Sequence, residues 1–550
     1  MGHFQVLQTA LMFITGILVA CQNYLENFTA VVPEHHCRLQ NQTSVEAPFL
    51  GDGRDSDLLK VSIPMDKHGK PETCLRFTEL QWQLLNPNAT EQTRLVTEDC
   101  LDGWVYDKSE LSSSIVTEWD LVCGQKSLKT ITRTIYVGGF QIGSISWGIL
   151  SDRFGRRTVL RWASLLAIIA GSCTAFMPTF AAYATTRFLT GAALSGIYHT
   201  RNCLTLEWTP TERRILVNTC NSYAFTFGHM ILAGWAYLVR DWRRLQFSIS
   251  GSFGIVLLFS LALPESACWL ITHNKLDAAV KTLRKVAWIN GHKEQGRKLT
   301  LEGVMSYIQE DLASVKPKSI LRNLFQNPGI CKITLCAGFG WFAAGFSFAG
   351  LILDLQKFGF SIYLVQVLFA LIDFPTRFLA AVIMSRCGNR LTFIFCAVFS
   401  GCLIITDIFV PQDMAALRLT ISVLGKGGVG LLFLCLHLFT LELYPTEVRQ
   451  KGMSVGGLAL SFGAMLAPLV FIIDSYSHIV QPLLFGGMPI LSAIAVSFLI
   501  ETHGLPLLQT IQETEKRMKR AQCLKGNAKK DIQERPALLM PEMPQAESTV

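Results

Sequence analysis

The sequence contains few charged residues for its length, and this shortage is its first informative property. Only 16% of the 550 residues are Asp, Glu, Lys or Arg, whereas 50% are hydrophobic. Soluble domains contain about 25% charged residues, so the chain has too little polar surface for a water-soluble protein of its size. This composition excludes a soluble, disordered or collagen-like chain and indicates a polytopic membrane protein.

Signals for enzyme chemistry and nucleic-acid binding are also missing. The chain contains no G-x-x-x-x-G-K-[ST] run that would cradle nucleotide phosphates, and its histidines and cysteines show no metal-ligand spacing. The net charge of +8 is modest, whereas nucleic-acid binding needs a strongly basic face. We therefore expect no enzymatic activity, no cofactor, no metal and no nucleic-acid partner.

Twelve apolar segments are long enough to cross a bilayer, for which about 20 residues are needed. The sequence therefore predicts an all-α polytopic membrane protein with 12 transmembrane helices. The segments lie at 4–24, 131–150, 159–177, 181–206, 215–237, 245–263, 330–353, 361–384, 391–409, 416–441, 452–473 and 483–500. The long hydrophilic stretches are 25–128, 265–328 and 503–550.

The short loops with most Lys and Arg all fall on one side of the membrane if the twelve spans alternate. Because cytoplasmic loops are enriched in these residues, both termini and 265–328 are predicted to be cytoplasmic and 25–128 exterior. One exterior loop departs from the rule, since Arg240, Arg243 and Arg244 are offset there only by Asp241.

The 25–128 loop has the features of an extracellular segment. It contains 17 acidic against 9 basic residues, so it is not expected to attract anions. Three Asn-x-Ser/Thr sequons predict glycosylation, and four cysteines predict two disulfides, whose pairing has three alternatives. The glycosylation candidates are Asn27, Asn41 and Asn88, and the cysteines are Cys37, Cys74, Cys100 and Cys123.

The first apolar segment has an alternative interpretation as a signal peptide. Leu18–Cys21 (LVAC) resembles a bacterial lipoprotein cleavage site. No Lys or Arg precedes the apolar run, however, and eleven further spans follow it. We therefore expect the segment to be retained as the first transmembrane helix.

Two motifs occur twice at nearly one separation along the chain. Residues 152–157 (DRFGRR) recur at 385–390 (SRCGNR), and 207–214 (EWTPTERR) recur at 442–449 (ELYPTEVR). The equivalent glycines are 233 residues apart and the equivalent prolines 235. This predicts two parallel six-helix repeats around a central site, an architecture of secondary transporters.

The repeat divides the chain into four parts. These are an N-terminal half at 1–264 that includes the 25–128 loop, a cytoplasmic connector at 265–328, a C-terminal half at 329–502 and a tail at 503–550. The motif residues lie at the inner ends of the spans, and the charged ones among them are expected to fix the topology and can pair across the bundle to hold one conformation. They are Asp152, Arg153, Gly155, Arg156, Arg157, Glu207 and Arg214 in the first half and Arg386, Gly388, Arg390, Glu442 and Arg449 in the second.

Five motifs together resemble solute carrier family 22 of the major facilitator superfamily, in its organic anion transporter branch. The resemblance covers essentially the whole chain and implies a plasma-membrane carrier of amphiphilic organic anions, often working by exchange. The motifs are 148–157 (GILSDRFGRR), 25–30 (LENFTA), 102–107 (DGWVYD), 117–123 (TEWDLVC) and 442–446 (ELYPT).

Three features depart from this family pattern. Cys268 replaces the Arg of a Pro-Glu-Ser-x-Arg-Trp pattern, and Met1 stands about a dozen residues later than the usual start, so it is a candidate alternative start. Ser461 occupies the position in the eleventh span where this branch has an Arg, which removes one expected contact with an anion.

Ionisable residues inside spans are candidate functional groups, because an unpaired charge in hydrocarbon costs at least about 2.5 kcal/mol. By resemblance, Arg377 matches the substrate-side cation of the anion branch, although Asp373 one turn away provides an alternative partner. Arg201 is unusual for the family and is either a second anion contact or a side chain that extends to the cytoplasmic boundary. Lys426 is expected to be structural.

Aromatic residues are expected to hold the apolar body of the substrate, with ordinary helix packing as the alternative. The resemblance assigns five of them to the cavity. These are Phe225, Trp341, Phe348, Phe433 and His437, and Tyr223 is added from its place beside Phe225.

The favoured function is transport of amphiphilic organic anions such as steroid sulfates, prostanoids or other lipid acids. Ser461 also permits a carrier of organic cations or zwitterions, and the 25–128 loop permits a receptor-like protein, although a receptor has no need for duplicated gating motifs. The last residues, Glu547–Val550 (ESTV), fit a ligand for a PDZ-domain scaffold, read at Ser548 and Val550.

Overall fold

The computed structural model describes residues 2–39, 54–66, 69–85, 96–210, 213–299, 327–353, 358–411, 413–445, 448–474, 479–502 and 511–518. Within these ranges, twelve long helices correspond in order to the predicted spans. They are α1 His3–Tyr24, α2 Lys126–Phe154, α3 Arg156–Thr174, α4 Phe180–Trp208, α5 Arg214–Leu238, α6 Trp242–Ala262, α7 Pro328–Leu353, α8 (Ile362–Leu371 and Asp373–Cys387), α9 Asn389–Thr406, α10 Ala415–Leu443, α11 Arg449–Asp474 and α12 Val480–Ser497.

Eight of these helices, among the residues described, are long and apolar enough to cross a membrane by length and composition alone. The other four, α2 to α5, carry polar and charged side chains that lower their mean hydropathy, such as the buried Arg187 and Arg201 on α4. A bundle interior accommodates such residues, whereas lipid does not. The prediction of an all-α polytopic membrane protein is confirmed.

The helices pack in the same way in both halves. In the first half α1 packs on α5, α2 on α4, and α3 on α4 and α6; the second half repeats this with α7 on α11, α8 on α10, and α9 on α10 and α12. The two halves meet where α2 packs on α11 and α5 on α8. This symmetry confirms two six-helix repeats.

The eighth span is expected to be continuous over 361–384 but is divided at Ile372. Pro375 follows the break and has no backbone N–H, so it cannot continue the ladder of helical hydrogen bonds. Near the break, the carbonyl of Phe369 accepts a hydrogen bond from Lys426 Nζ of α10. The Phe369 carbonyl beside the break therefore interacts with a buried charge, the ammonium group of Lys426.

The 25–128 loop forms a small disulfide-bonded unit. Strands β1 (His35–Cys37) and β4 (Trp104–Tyr106) pair antiparallel, as do β2 (Leu75–Phe77) and β3 (Thr97–Asp99). The structure selects Cys37–Cys100 and Cys74–Cys123 from the three pairings that the sequence leaves open.

The loop also provides a partner for Arg243, one of the three arginines that depart from the predicted charge rule. Arg243 forms an ion pair with Glu118 of the loop, and Trp242 Nε1 donates to the same carboxylate at 2.9 Å. Asp241 caps α6 by accepting from the N–H of Arg244 at 2.8 Å and also accepts from Ser113 Oγ at 2.7 Å. Arg243 and Asp241, at the start of α6, therefore bind the loop to the bundle.

Asn27, the first glycosylation candidate, lies in a packed interface. It belongs to the short helix Glu26–Thr29, and its Nδ2 donates to Gln366 Oε1 of α8 at 3.2 Å. The neighbouring Phe28 ring stacks on Tyr363 at 5.5 Å between centroids. A glycan would have to attach to the same Nδ2 atom. The other two candidates, Asn41 and Asn88, lie outside the described residues.

We therefore expect glycosylation at Asn41 and Asn88 but not at Asn27. Asn41→Gln and Asn88→Gln should each increase the electrophoretic mobility of the protein from expressing cells, whereas Asn27→Gln should not. Glycosidase treatment of each variant provides the control for complete deglycosylation. A mobility increase in Asn27→Gln that glycosidase treatment removes would contradict this expectation.

Candidate functional site

The duplicated motifs lie at one end of the bundle, here called the motif end; the end that carries the 25–128 loop is called the loop end. At the motif end of the first half, Arg156 Nη1 lies 2.8 Å from Asp152 Oδ1 and its Nε lies 3.3 Å from Glu207 Oε1. Because these residues belong to α3, α2 and α4, the arginine ties three helices of one half together.

Glycines make the turn between α2 and α3 and the equivalent turn between α8 and α9. Gly155 and Gly388 have φ angles of +97° and +86°, a region that glycine adopts without steric cost. Behind each turn a carboxylate caps the next helix. Glu265 accepts from the N–H of Arg157 in α3 at 3.0 Å, and Glu501 accepts from those of Asn389 and Arg390 in α9 at 3.2 and 3.3 Å. Both acids are absent from the sequence-predicted site.

The second half repeats the remaining contacts of the first. Asn389 replaces Arg156 and donates from Nδ2 to Glu442 at 2.5 Å. Arg214 and Arg449 each donate from Nε to the carbonyl five residues earlier, both at 3.3 Å. The internal repeat therefore extends from sequence to hydrogen-bond geometry.

The other predicted motif residues fall into two groups, those that contact the last helix of their half and those that are exposed. Arg157 Nε donates to the carbonyl of Ser260 at 3.2 Å, and Arg390 Nη2 to that of Ser497 at 2.7 Å, so both hold the last helix of their own half. Arg153 and Arg386 are exposed at the motif end.

The two halves contact each other differently at the two ends. At the loop end, Tyr24 and Leu232 of the first half share one buried apolar cluster with Ile362 and Val365 of the second. Where both partners of an ion pair are described, no pair joins one half to the other. In this structure a buried apolar cluster therefore joins the two halves at the loop end.

A buried ion pair lies at the break in α8. Lys426 Nζ of α10 is hydrogen-bonded to Asp373 Oδ1, and the lysine is fully buried. The structural role expected of Lys426 agrees with this pairing. The alternative pairing of Asp373 with Arg377 is not found, because Arg377 turns away from α8 towards α5.

Arg377 reaches across the interface between the halves. Its Nη1 donates to Ser222 Oγ of α5, and its guanidinium carbon lies 5.0 Å from the centre of the Tyr223 ring. Phe374, one turn from Arg377, stacks on the same ring at 5.5 Å. No described carboxylate pairs with Arg377, so its charge is available to an anionic ligand.

Arg201 is buried inside the first half with 2% of its surface exposed. Its Nη1 donates to the carbonyl of Met12 at 3.1 Å and its Nη2 to Asn202 Oδ1 at 3.1 Å. The side chain therefore does not extend to the motif end, the boundary that the sequence predicts to be cytoplasmic. Its Nε has no hydrogen-bond partner among the described atoms, and a Cβ at Gly16 would lie 1.9 Å from Nη1.

The structure brings the predicted aromatic residues of the second half together. Trp341 of α7 lies 6.2 Å from the rings of both Phe433 and His437 on α10, and Phe348 lies 5.3 Å from Phe433. Lys426 Nζ is 5.7 Å from the centre of the Phe348 ring. This aromatic group is therefore continuous with the buried ion pair.

Two further predicted residues occupy different surroundings. Phe225 lies 5.8 Å from the guanidinium carbon of Arg201 and 5.9 Å from the Tyr198 ring, so it belongs to the Arg201 group. Ser461 donates to the carbonyl of Gly457 in its own helix at 3.0 Å. The hydroxyl of Ser461 is thus engaged in α11 and does not replace the missing cation.

Three polar residues at the interface were missed by sequence reasoning. Ser222 contacts Arg377, Gln366 contacts Asn27, and His229 lies 3.5 Å from Tyr24 between ring centroids. Their location inside apolar spans could have identified them from the sequence, because polar side chains in membrane helices usually face the bundle interior.

One short run has a spacing typical of serine hydrolases. Gly452–Gly456 (GMSVG) matches the nucleophile elbow G-x-S-x-G, which requires a strand followed by a sharp turn and a helix. Here the run lies entirely inside α11. No catalytic serine is assigned from it.

Comparison with known proteins places the chain among membrane transporters. The family described as "Sugar (and other) transporter" matches residues 83–513. The chain is 41% identical to solute carrier family 22 member 20 of Mus musculus over 97% of its own length and 94% of that protein. It is 40% identical to organic anion transporter 3 of Mus musculus, covering 94% of this chain and 92% of that protein.

Solved structures share the fold at low sequence identity. The inward open conformation of the xylose transporter XylE from E. coli has a TM-score of 0.58 at 16% identity, covering 92% of this chain and 98% of that one. A D-xylose-proton symporter has a TM-score of 0.57 at 16% identity, covering 92% and 100%. These matches establish the architecture alone.

Because Asp373 pairs with Lys426, we predict that folding requires Lys426 rather than Arg377. Lys426→Met should leave the carboxylate unpaired, at a cost of about 3–5 kcal/mol, and should strongly reduce surface expression and thermal stability. The double variant Asp373→Asn/Lys426→Met should recover both, because no charge is left alone. Surface biotinylation and thermal unfolding of the purified protein measure these effects.

Arg377→Gln is the matched control, because Arg377 lies on the same helix as Asp373 and has no acidic partner among the described residues. It should reach the surface in near-normal amounts. Normal expression of Lys426→Met together with misfolding of Arg377→Gln would show that Asp373 depends on Arg377 instead.

Proposed function

The chain belongs to solute carrier family 22, and from this membership we propose that it carries amphiphilic organic anions across the plasma membrane by alternating access. The observation that carries this proposal is Arg377, a half-buried cation at the interface between the halves without a described carboxylate partner. A carboxylate or sulfate of the substrate supplies the missing negative charge.

The guanidinium of Arg377 suits such a ligand in geometry as well as charge. Arginine presents a planar fork of donors that matches a carboxylate or sulfate bidentately. Only Nη1 is engaged with Ser222, so the other donors remain for an anion. Charge-assisted hydrogen bonds of this kind contribute about 1.5–3 kcal/mol each.

Arg201 supplies a second, deeper contact from the first half. Its burial, its free Nε and its lack of a described acidic partner favour an anion nearby. Gly16 supports this role, because any larger residue would overlap the guanidinium. In the proposed cycle Arg201 attracts the anionic group as it passes towards the motif end.

The apolar body of the substrate lies against the aromatic residues. Trp341, Phe348, Phe433 and His437 form a continuous surface on the second half, and Phe225 provides one on the first. With Ser461 in place of a cation, the site favours monoanions with a large apolar body over small dicarboxylates. Steroid sulfates, prostanoids and other lipid acids fit this description better than urate does.

The transport cycle follows from the contacts between the halves. With the 25–128 loop outside and both termini in the cytoplasm, apolar closure at the loop end corresponds to a state that faces inward. Rocking of the halves then opens the loop end, and a counter-anion returns the carrier by exchange. The repeated contacts of Arg156 and Asn389 hold each half together during this movement, and a PDZ scaffold at Ser548–Val550 retains the carrier at the membrane.

A carrier of organic cations or zwitterions is the second candidate, since Ser461 removes one cation from the site. An acidic residue would have to meet such a substrate. Asp373, however, is engaged by Lys426. Arg201 and Arg377 would repel an organic cation, so anion transport has the stronger support.

Uptake by expressing cells tests the proposal. Cells are given matched radiolabelled panels of organic anions, including a steroid sulfate and a prostanoid, and of organic cations, with and without preloaded anions. We expect saturable uptake of amphiphilic anions that preloading accelerates. Saturable uptake of cations alone would overturn the proposal.

Arg377→Ala should raise the KM for a transported monoanion about tenfold, since one charge-assisted contact is lost. Arg377→Lys keeps the charge without the bidentate fork, so its KM should lie between those of wild type and Arg377→Ala. Uptake kinetics normalised to surface expression measure both effects.

Arg240→Ala is the matched control, because Arg240 lies 5.4 Å from the ring of Tyr237 at the loop end, outside the proposed site. Its KM should equal that of wild type. An unchanged KM in Arg377→Ala at normal surface expression would show that Arg377 does not bind the substrate.

A further inference from the structure

The contact between Arg377 and Ser222 joins the two halves of the transporter through the same cation that is proposed to hold the substrate. Arg377 belongs to α8 of the second half and Ser222 to α5 of the first. Beside it, the Tyr223 ring faces both the guanidinium and the stacked ring of Phe374. An anion that engages Nη1 of this guanidinium must therefore compete with a contact between the halves.

The hydroxyl of Ser222 is oriented as an acceptor. It donates its single proton to the carbonyl of Thr219 at 2.7 Å, so its lone pairs remain for Arg377 Nη1. A hydroxyl in this orientation offers the guanidinium the same partner as one oxygen of a carboxylate or sulfate does. It carries no negative charge, however, and has only one oxygen.

We propose that Ser222 is a specificity-determining residue that occupies Arg377 in the empty carrier and is displaced by the anionic group of the substrate. This inference rests on the proposed function of Arg377. Part of the binding free energy of the anion is then used to break the α5–α8 contact. Substrate binding thereby loosens one connection between the halves, which couples the occupied site to the rocking movement.

The exchange favours the substrate for electrostatic reasons. The guanidinium makes both hydrogen bonds charge-assisted, but a carboxylate or sulfate adds its own negative charge and can engage two donors of the fork bidentately, whereas the hydroxyl is neutral and offers one oxygen. The hydroxyl is therefore strong enough to hold Arg377 when the site is empty but too weak to hold it against an anion.

The kinetic test removes the competitor. Ser222→Ala should lower the KM for a monoanionic substrate about three- to tenfold, the effect expected when one hydrogen bond of ordinary net strength no longer competes. Ser222→Thr retains a hydroxyl and should keep a KM near that of wild type, whereas Ser222→Asp would pair with Arg377 and should raise the KM more than tenfold.

Ser252→Ala is the matched control, because Ser252 is half-buried on α6 and donates only within its helix, to Ile249 at 2.6 Å. Its KM should not change. If Ser222→Ala alters only kcat or surface expression, or raises the KM, Ser222 is structural and the inference is wrong.

A cross-linking test examines the contact without any transport. In a protein with Ser222→Cys, Arg377→Cys and Cys220→Ser, a short bifunctional thiol reagent should join the halves after cleavage at a protease site placed between residues 300 and 326. Both disulfides lie in the first half, so they cannot join the fragments. Omitting either introduced cysteine should abolish the product.

The two tests separate failure of this inference from failure of the proposed function. Cross-linked halves in a protein that takes up no organic anion would overturn the proposed function and, with it, the role of Ser222 as a competitor. Anion uptake that depends on Arg377, combined with an unchanged KM in Ser222→Ala or with no cross-link, would overturn the inference alone.

Discussion

The cost of an uncompensated charge inside a membrane governs the arrangement of this bundle. Moving a charged side chain to the bilayer centre costs at least about 2.5–3.5 kcal/mol, so buried ionic groups need partners. Glu26 and Arg187 meet at 3.0 Å with almost no exposure, and Asp373 meets Lys426 at the break in α8. Once these pairs are formed, Arg201 and Arg377 are left without acidic partners among the described residues, and in the proposed function the ligand supplies the counter-charge.

The repeated hydrogen bonds at the motif end connect helices within each half, as the proposed rocking movement requires. Glu265 and Glu501 cap the helices that follow the two glycine turns. Arg156 connects three helices of the first half, and Asn389 connects two helices of the second. These contacts stay inside a half, so they do not resist separation of the halves. Rigid-body rocking needs this distribution of strong contacts within repeats and weaker ones between them.

Sequence reasoning located the elements that depend on local composition. Apolar runs of about 20 residues identify the twelve spans because the bilayer sets their length, and the duplicated motifs identify the two halves. It did not locate partners that come from distant parts of the chain. Lys426 is 53 residues from Asp373, whereas Arg377, one turn away, is the nearer candidate, so only the packing of α8 on α10 decides between them.

The same limit applies to Ser222 and the two capping acids. A serine in an apolar helix is common, because its hydroxyl can bond to the preceding turn, as Ser222 does with Thr219. Its second contact depends on how α5 meets α8, and nothing local in the sequence records that geometry. The four cysteines are similar, since their number predicts two disulfides but their pairing follows from the folded loop.

Residues of helix α5 contact both Arg377 and Arg201. Ser222 holds Arg377 of the second half, and Phe225, three residues later, lies against Arg201 of the first. At 1.5 Å per residue these positions are about 4.5 Å apart along the helix, within a single turn. A shift of α5 relative to α8 therefore changes the surroundings of both cations together. An anion that releases Arg377 from α5 does so on the helix that also lines Arg201, which provides a physical route from charge recognition in one half to movement of the other.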